Sequence, residues 1–112
     1  MTTITDDFMR QMRAKTKQYT ILILKAGPHR HEPGAEKIIW EHGRRNFALR
    51  EEGVLSIVCP VSNDSEVAGI GIFNASVEDT KKIMDEDPGV QAGVFTYELL
   101  QCRSFPGDSL PE

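Results

Sequence analysis

The order of strand-like and helix-like segments is the feature of this chain that most constrains its fold. Apolar, β-branched segments alternate with amphipathic ones, and short turns rich in glycine, proline or polar residues separate them. This pattern predicts strands at 19–25, 54–61, 67–75 and 94–103, and helices at 35–52 and 76–87. The resulting order β-α-β-β-α-β is the split βαβ arrangement of a ferredoxin-like fold. We therefore predict an α+β domain with a four-stranded antiparallel sheet and both helices on one face.

The length of the chain predicts a single domain with its own core. The 112 residues fall in the usual range for one domain, and such a chain needs neither metal nor disulfide to fold. We predict an N-terminal extension at 1–17, a helix docked on the body or on a partner. The ferredoxin-like domain is expected at 18–106, and a short C-terminal tail at 107–112.

Charge and hydropathy exclude several classes of protein. The net charge is −4 and the basic residues are scattered, which argues against a nucleic-acid-binding surface. No apolar run is long enough to span a bilayer, and residues 1–18 lack the apolar centre of a secretory signal. Cys59 and Cys102 lie in predicted strands without CxxC spacing, which favours two reduced thiols in a cytoplasmic protein.

The first predicted helix carries apolar residues on two opposite faces. At about 100° per residue, Ile38, His42 and Leu49 share one face, whereas Trp40 and Phe47 lie on the other. We assign the face with His42 to the sheet. The aromatic face predicts contact with a further layer, either the N-terminal segment or a second subunit.

The third predicted strand is unusual because glycines occupy one of its faces. Gly69 and Gly71 alternate with Ile70 and Ile72. Glycine weakens a strand, so a bare face indicates either a closely packed helix or an open cleft. The opposite sheet face would be uncovered in a single subunit, and homodimerisation sheet to sheet is the expected remedy.

His42 and Asp87 are the candidate acid–base residues. A neutral imidazole accepts a proton near pH 7, and a carboxylate on its other nitrogen fixes the tautomer and stabilises the imidazolium. From pattern alone, a core histidine and a helix-ending aspartate remain the simpler interpretation. Asp85 is an alternative carboxylate, ranked lower because it does not precede the proline.

The loop containing His29, Arg30 and His31 is a candidate substrate-binding segment. Two histidines separated by one residue can share a metal ion, and His42 would supply a third ligand. A solvated loop is the favoured interpretation, and we expect no metal. The loop follows the first strand, so it could close over the cleft and bring one histidine or Arg30 near a substrate.

Two further candidates have simpler explanations. Cys59 lies on a strand in a chain that contains histidines, so it is a possible nucleophile, but a small buried strand residue is the favoured interpretation. Arg44 and Arg45 could bind an anionic substrate, but a solvated helix flank is favoured.

Four segments in order resemble the YciI-like (YCII-related) family of the dimeric α/β-barrel superfamily. They are the strand at 19–25, His42 followed by Leu-Arg-Glu-Glu-Gly-Val-Leu at 49–55, the strand at 68–73 with its acidic helix, and Asp-Pro-Gly-Val-Gln-Ala-Gly-Val-Phe at 87–95. The resemblance implies a ferredoxin-like subunit, a barrel-forming dimer and an active site built on His42 and Asp87. This chain departs from the family pattern at Cys59-Pro60, where Gly-Pro is common, and in its longer, histidine-rich loop.

The leading functional hypothesis is a small cytoplasmic homodimeric enzyme without a cofactor. It would carry out lyase- or isomerase-like acid–base chemistry on a small organic molecule, with His42 as base or acid and Asp87 as its partner. One alternative is a non-enzymatic small-molecule-binding or accessory barrel protein. The other is a dimeric-barrel monooxygenase that uses Trp40 or a histidine.

Overall fold

A four-stranded sheet with helices on one face forms the body of the protein. The computed structural model describes all residues, 1–112. The elements are α1 (Asp6–Ala14), β1 (Lys17–Ala26), α2 (Ala35–Glu51), β2 (Leu55–Pro60), β3 (Val67–Phe73), α3 (Val77–Asp85), α4 (Pro88–Gln91) and β4 (Phe95–Ser104). No helix combines the length and hydropathy needed to cross a bilayer.

The sheet has the strand order β2-β3-β1-β4, and every neighbouring pair is antiparallel. Strand β1 is central and pairs with β3 on one side and β4 on the other. With α2 crossing from β1 to β2 and α3 leading from β3 towards β4, this is the ferredoxin-like arrangement. The predicted α+β fold class is therefore confirmed.

The core lies between the sheet and the helices. Along β1, Thr20, Leu22 and Leu24 are buried while their neighbours are only half-buried, as the period of a strand with one covered face requires. Leu22 and Leu24 belong to a cluster of eight buried apolar residues, completed by Ala35, Leu55, Phe73, Met84, Val94 and Phe95.

The other sheet face carries apolar side chains and no helix. Ile21 pairs with Ile72 and Leu100, and Ile23 pairs with Ile70, so these side chains share that face. Leu100 is 50% exposed. The C-terminal tail follows one end of the face, where residues 104–110 and strand residues such as Ile21 line a groove. We call this surface the open sheet face.

The structure differs from the helical prediction at the end of the second predicted helix. The predicted helix at 76–87 ends at Asp85, and a separate short helix, α4, begins at Pro88. Asp87 is the N-cap residue of α4, and proline is favoured at the first helical position because it lacks the N–H that would be unpaired there.

The N-terminal extension was predicted to form a helix docked on the body or on a partner. Helix α1 does form, beginning after the N-cap Thr5, and it has no buried residue, so it is not docked on the body of its own chain. Docking on a partner stays a prediction.

Candidate active site

His42 is held in the interior by the packing of α2 against the sheet. It lies on the buried face of α2, as predicted, and is 6% exposed. Its ring contacts that of Phe95 at the start of β4, with ring centroids 4.8 Å apart and an interplanar angle of 50°. This contact fixes the plane of the imidazole.

The fold brings His42 and Asp87 together. His42 Nδ1 lies 2.9 Å from Asp87 Oδ1 and 2.9 Å from Oδ2. Because an ionised carboxylate can only accept hydrogen bonds, Nδ1 of His42 carries a proton and donates a hydrogen bond to Asp87. The two side chains, remote in sequence, form a buried pair.

The position of Asp87 follows from its role as the N-cap of α4. Its Oδ2 accepts hydrogen bonds from the backbone N–H groups of Gly89 at 2.9 Å and Val90 at 3.2 Å. The side chain is fully buried. The same carboxylate therefore begins a helix and receives the imidazole N–H, which leaves it little freedom to rotate.

Asp87 is held as a carboxylate. Burial raises the pKa of its carboxyl group, but the His42 hydrogen bond and charge, the Val90 N–H and the Arg45 guanidinium together lower it more. The net pKa lies below the ordinary value. A charged Asp87 is the form that can stabilise a positive imidazolium on His42.

Asn46 forms a hydrogen bond with the other nitrogen of the imidazole, and it was not among the predicted site residues. Its Nδ2 lies 3.2 Å from His42 Nε2, so the amide donates and Nε2 accepts. This arrangement selects the neutral tautomer with the proton on Nδ1. Asn46 follows His42 by four residues, and residues four apart lie side by side on a helix. This spacing could have predicted the contact.

Arg45 was predicted to lie on a solvated flank, and that prediction was wrong. Its side chain is 25% exposed, and Nη1 lies 3.7 Å from Asp87 Oδ1. Nη1 is buried and has no hydrogen-bond partner. Arg44 does lie on the exposed flank, where it pairs with Glu41. The two adjacent arginines thus face different surroundings.

An apolar cavity of about 280 Å³ lies beside His42, between α2 and the sheet. Gly69 and Gly71 of β3 line it together with Asn46. A Cβ at Gly71 would come within 3.2 Å of Leu55 Cδ1, and a Cβ at Gly69 within 3.4 Å of the Cys59 carbonyl oxygen. The missing side chains leave an open cleft, which was one of the two predictions for this glycine-bearing face, the other being a closely packed helix.

Of the predicted binding loop, the structure brings only Arg30 to the cavity. The ring of His29 packs on Gly93, and its Nδ1 lies 2.6 Å from Glu32 Oε1. His31 is exposed. No three His, Cys, Asp or Glu side chains are grouped as metal ligands would be.

The remaining candidates lie apart from the pair. Asp85 binds Lys81 and the Tyr97 hydroxyl instead of His42. Burial and this hydrogen bond raise the pKa of Tyr97 to about 12.

Cys59 was expected to be buried, but it is exposed on an edge strand and lines the cavity. Trp40 is 69% exposed and does not line the cavity.

The lowered pKa of Asp87 predicts a specific loss of stability in acid. In the unfolded chain, the carboxyl group of Asp87 has the ordinary aspartate pKa of about 3.9. The unfolded chain therefore binds this proton before the folded protein does as the pH falls. The stabilisation is complete above about pH 4 and is lost as the pH falls through the lower folded pKa. Urea unfolding from pH 6 to pH 2 should show a smaller acid-induced loss for Asp87→Asn than for the wild type. An equal loss in both proteins would contradict the assignment.

The fold and the site define a ferredoxin-like protein with a buried His–Asp pair beside an apolar cavity. No family model matches the chain, and no curated protein matches it. Among solved structures, it resembles 5-chloro-2-hydroxyhydroquinone dehydrochlorinase (TftG) from Burkholderia phenoliruptrix AC1100, determined with 2,5-dihydroxybenzoquinone. That match has 17% identity and a TM-score of 0.49 and covers 72% of this chain and 90% of that one. A methylated protein, RPA0582, is 12% identical with a TM-score of 0.43, covering 95% and 96% of the two chains.

Proposed function

We propose that the protein is a small-molecule enzyme in which His42 transfers a proton and Asp87 positions it. The observation that carries the proposal is the buried pair itself, with both carboxylate oxygens 2.9 Å from Nδ1 and with His42 at the wall of an apolar cavity. A histidine needed only for packing would not require a fully buried carboxylate partner. Removing two such groups from water is costly, which favours a functional reason for the pair.

The chemistry follows from the tautomer. Nε2 has a free electron pair when the bound molecule displaces the Asn46 amide, so it can remove a proton from a carbon or hydroxyl group. The positive charge that develops on the ring is stabilised by Asp87, which stays ionised. If the proton returns to a different atom, the reaction is an isomerisation. If a leaving group departs with its bonding electrons as the double bond forms, the reaction is an elimination.

A non-enzymatic binding protein is the second candidate, and the apolar lining of the cavity favours it. An apolar pocket with a few polar groups is the usual form of a small-molecule site, with or without chemistry. The monooxygenase alternative gains no support from Trp40, because this side chain lies on the outer face of α2. The enzyme and the binding-protein candidates differ in whether His42 exchanges protons with the bound molecule.

Solvent isotope exchange tests the enzyme proposal directly. The wild-type protein is incubated in D₂O with a panel of small enols, hydroxyquinones, halogenated phenols and α-hydrogen carboxylic acids, and NMR follows the exchange or loss of substrate protons. Gly69→Val is the companion variant, because its side chain would occupy the cavity and leave the pair intact. We expect exchange with the wild type for at least one compound class, reduced at least about tenfold in the variant.

Binding without exchange would contradict the enzyme proposal. If a compound shifts the NMR signals of residues that line the cavity, and none of its own protons exchanges, the non-enzymatic binding protein is the better description. If Gly69→Val exchanges protons as fast as the wild type, the cavity is not where the reaction occurs.

We further propose that the protein is a homodimer joined through the open sheet face. This face presents Ile21, Ile72 and half-exposed Leu100, an apolar surface of the kind that marks protein contacts. Light scattering should give twice the 12.6 kDa of the chain. Leu100→Asp should shift the mass towards that of the monomer, because a carboxylate would be buried in the interface.

Trp40→Asp is the matched control for the interface. Trp40 is also a large exposed apolar residue, but it lies on the outer face of α2, so the proposal expects this variant to stay dimeric. A monomer from Trp40→Asp and a dimer from Leu100→Asp would place the interface on α2 instead. A wild-type monomer at high concentration would refute the dimer altogether.

A further inference from the structure

We infer that the cavity takes a small carboxylate whose anionic group binds Arg30 while its apolar body lies beside His42. The inference rests on the proposed function, since it names the substrate class of the same cavity. The class comprises single-ring aromatic acids and short branched acids with one negative charge.

Arg30 is the one permanently charged side chain that lines the cavity, and no carboxylate lines it. Its guanidinium takes part in none of the ion pairs of the chain. The nearest acidic residue in sequence, Glu32, pairs with His29. Arg30 is half-buried at the wall of the cavity, and a bound carboxylate would supply the ion-pair partner that this side chain lacks.

The loop that carries Arg30 is hydrogen-bonded to the segment just before Phe95, whose ring packs against His42. The Gly27 N–H donates to Val94 O at 2.8 Å, and the His29 N–H donates to Gly93 O at 2.9 Å. A Cβ at Gly27 would lie 2.3 Å from the Gly93 oxygen, so the two backbones are in close contact. The backbone segments that carry Arg30 and Phe95 are thus hydrogen-bonded to each other, which fixes where the two side chains start relative to the cavity.

Size and charge select the class. A volume of about 280 Å³ lies at or below the small end of ligand pockets, which span roughly 300–1,000 Å³, so a nucleotide is too large. Arginine pairs with a carboxylate through two parallel N–H···O bonds. A phosphate dianion would need more donors than Arg30 and the Asn46 amide provide. A single carboxylate on an apolar body matches one guanidinium and an otherwise apolar wall.

Titration with benzoate, isobutyrate, benzamide and phenyl phosphate tests the inference. Calorimetry measures affinity, and the ring resonances of His42 and Phe95 report whether binding occurs in the cavity. We expect benzoate to bind at least about tenfold more tightly than benzamide, its neutral isostere. Arg30→Met should abolish that preference and leave benzamide binding unchanged, and Arg30→Lys should restore part of it because the charge returns without the two-pronged geometry.

The control is Arg44→Met, which removes an exposed arginine on α2 outside the cavity and should leave every affinity unchanged. Equal affinity for benzoate and benzamide, no cavity binding of either acid at millimolar concentration, or tighter binding of phenyl phosphate would each overturn the inference. His42→Gln separates the two proposals, because it should keep the preference for benzoate. Selective carboxylate binding without any proton exchange would sustain the role of Arg30 and refute that of His42.

Discussion

Replacing His42 with glutamine is expected to lower the rate of proton transfer by about 10²–10⁴-fold, the range that a positioned general base contributes. Glutamine keeps a polar N–H that can reach Asp87, but it has no nitrogen that can accept a proton at neutral pH. The loss should therefore appear in kcat with little change in KM. Isotope exchange with any compound that the wild type accepts provides the measurement.

His31→Gln is the matched control for that variant. The substitution is chemically identical, but His31 is exposed and does not line the cavity, so exchange should stay at the wild-type rate. Circular dichroism of both variants verifies that the fold is intact. A His42→Gln protein that exchanges protons as fast as the wild type would remove His42 from the mechanism.

Replacing Asp87 with alanine is expected to cost about 3–5 kcal/mol of the free energy of unfolding, the range for removing one partner of a buried pair. The variant leaves the N–H groups of Gly89 and Val90 without an acceptor and His42 without its partner. Because whole domains are stable by only about 5–15 kcal/mol, a loss of this size removes a large share of the total stability. Urea unfolding at pH 7 measures the change.

Asp87→Asn separates the structural role of the carboxylate from its proposed role towards His42. The amide oxygen can still cap α4, so much of the stability should return. Its NH₂ group can only donate to the imidazole, which would reverse the tautomer and remove the negative charge. Asp64→Ala, in an exposed turn, should change stability by less than about 0.5 kcal/mol. Equal stability losses for Asp87→Ala and Asp64→Ala would contradict the buried pair.

The sequence predicted the fold because its local signals agree with the tertiary arrangement. Strands β1 and β3 are rich in β-branched residues, and the acidic first turn after Ser76 begins α3 as expected. Helix α4 was missed because its four residues, Pro-Gly-Val-Gln, contain two poor helix formers. It forms through the Asp87 cap and the proline at its first position, a signal that equally well ends the preceding helix.

The candidate site was predicted only in part, because its geometry depends on contacts between remote segments. The face of α2 that carries His42 follows from helical periodicity, so its burial was foreseeable. Arg45 follows Arg44 directly, and only the position of α4 decides that one of them approaches Asp87 while the other stays exposed. Asn46 was missed for a similar reason, since its contact depends on the rotamer of His42.

The central place of β1 has a consequence for the order in which the protein is made and folded. Its last partner on β4 is distant, because Lys17 pairs with Ser104. Until the ribosome has synthesised β4, one long edge of an apolar strand has no hydrogen-bond partner, and such edges recruit other chains. Contacts this remote in sequence also form slowly. We therefore expect a chain that stops before residue 95 to aggregate more readily than the full chain.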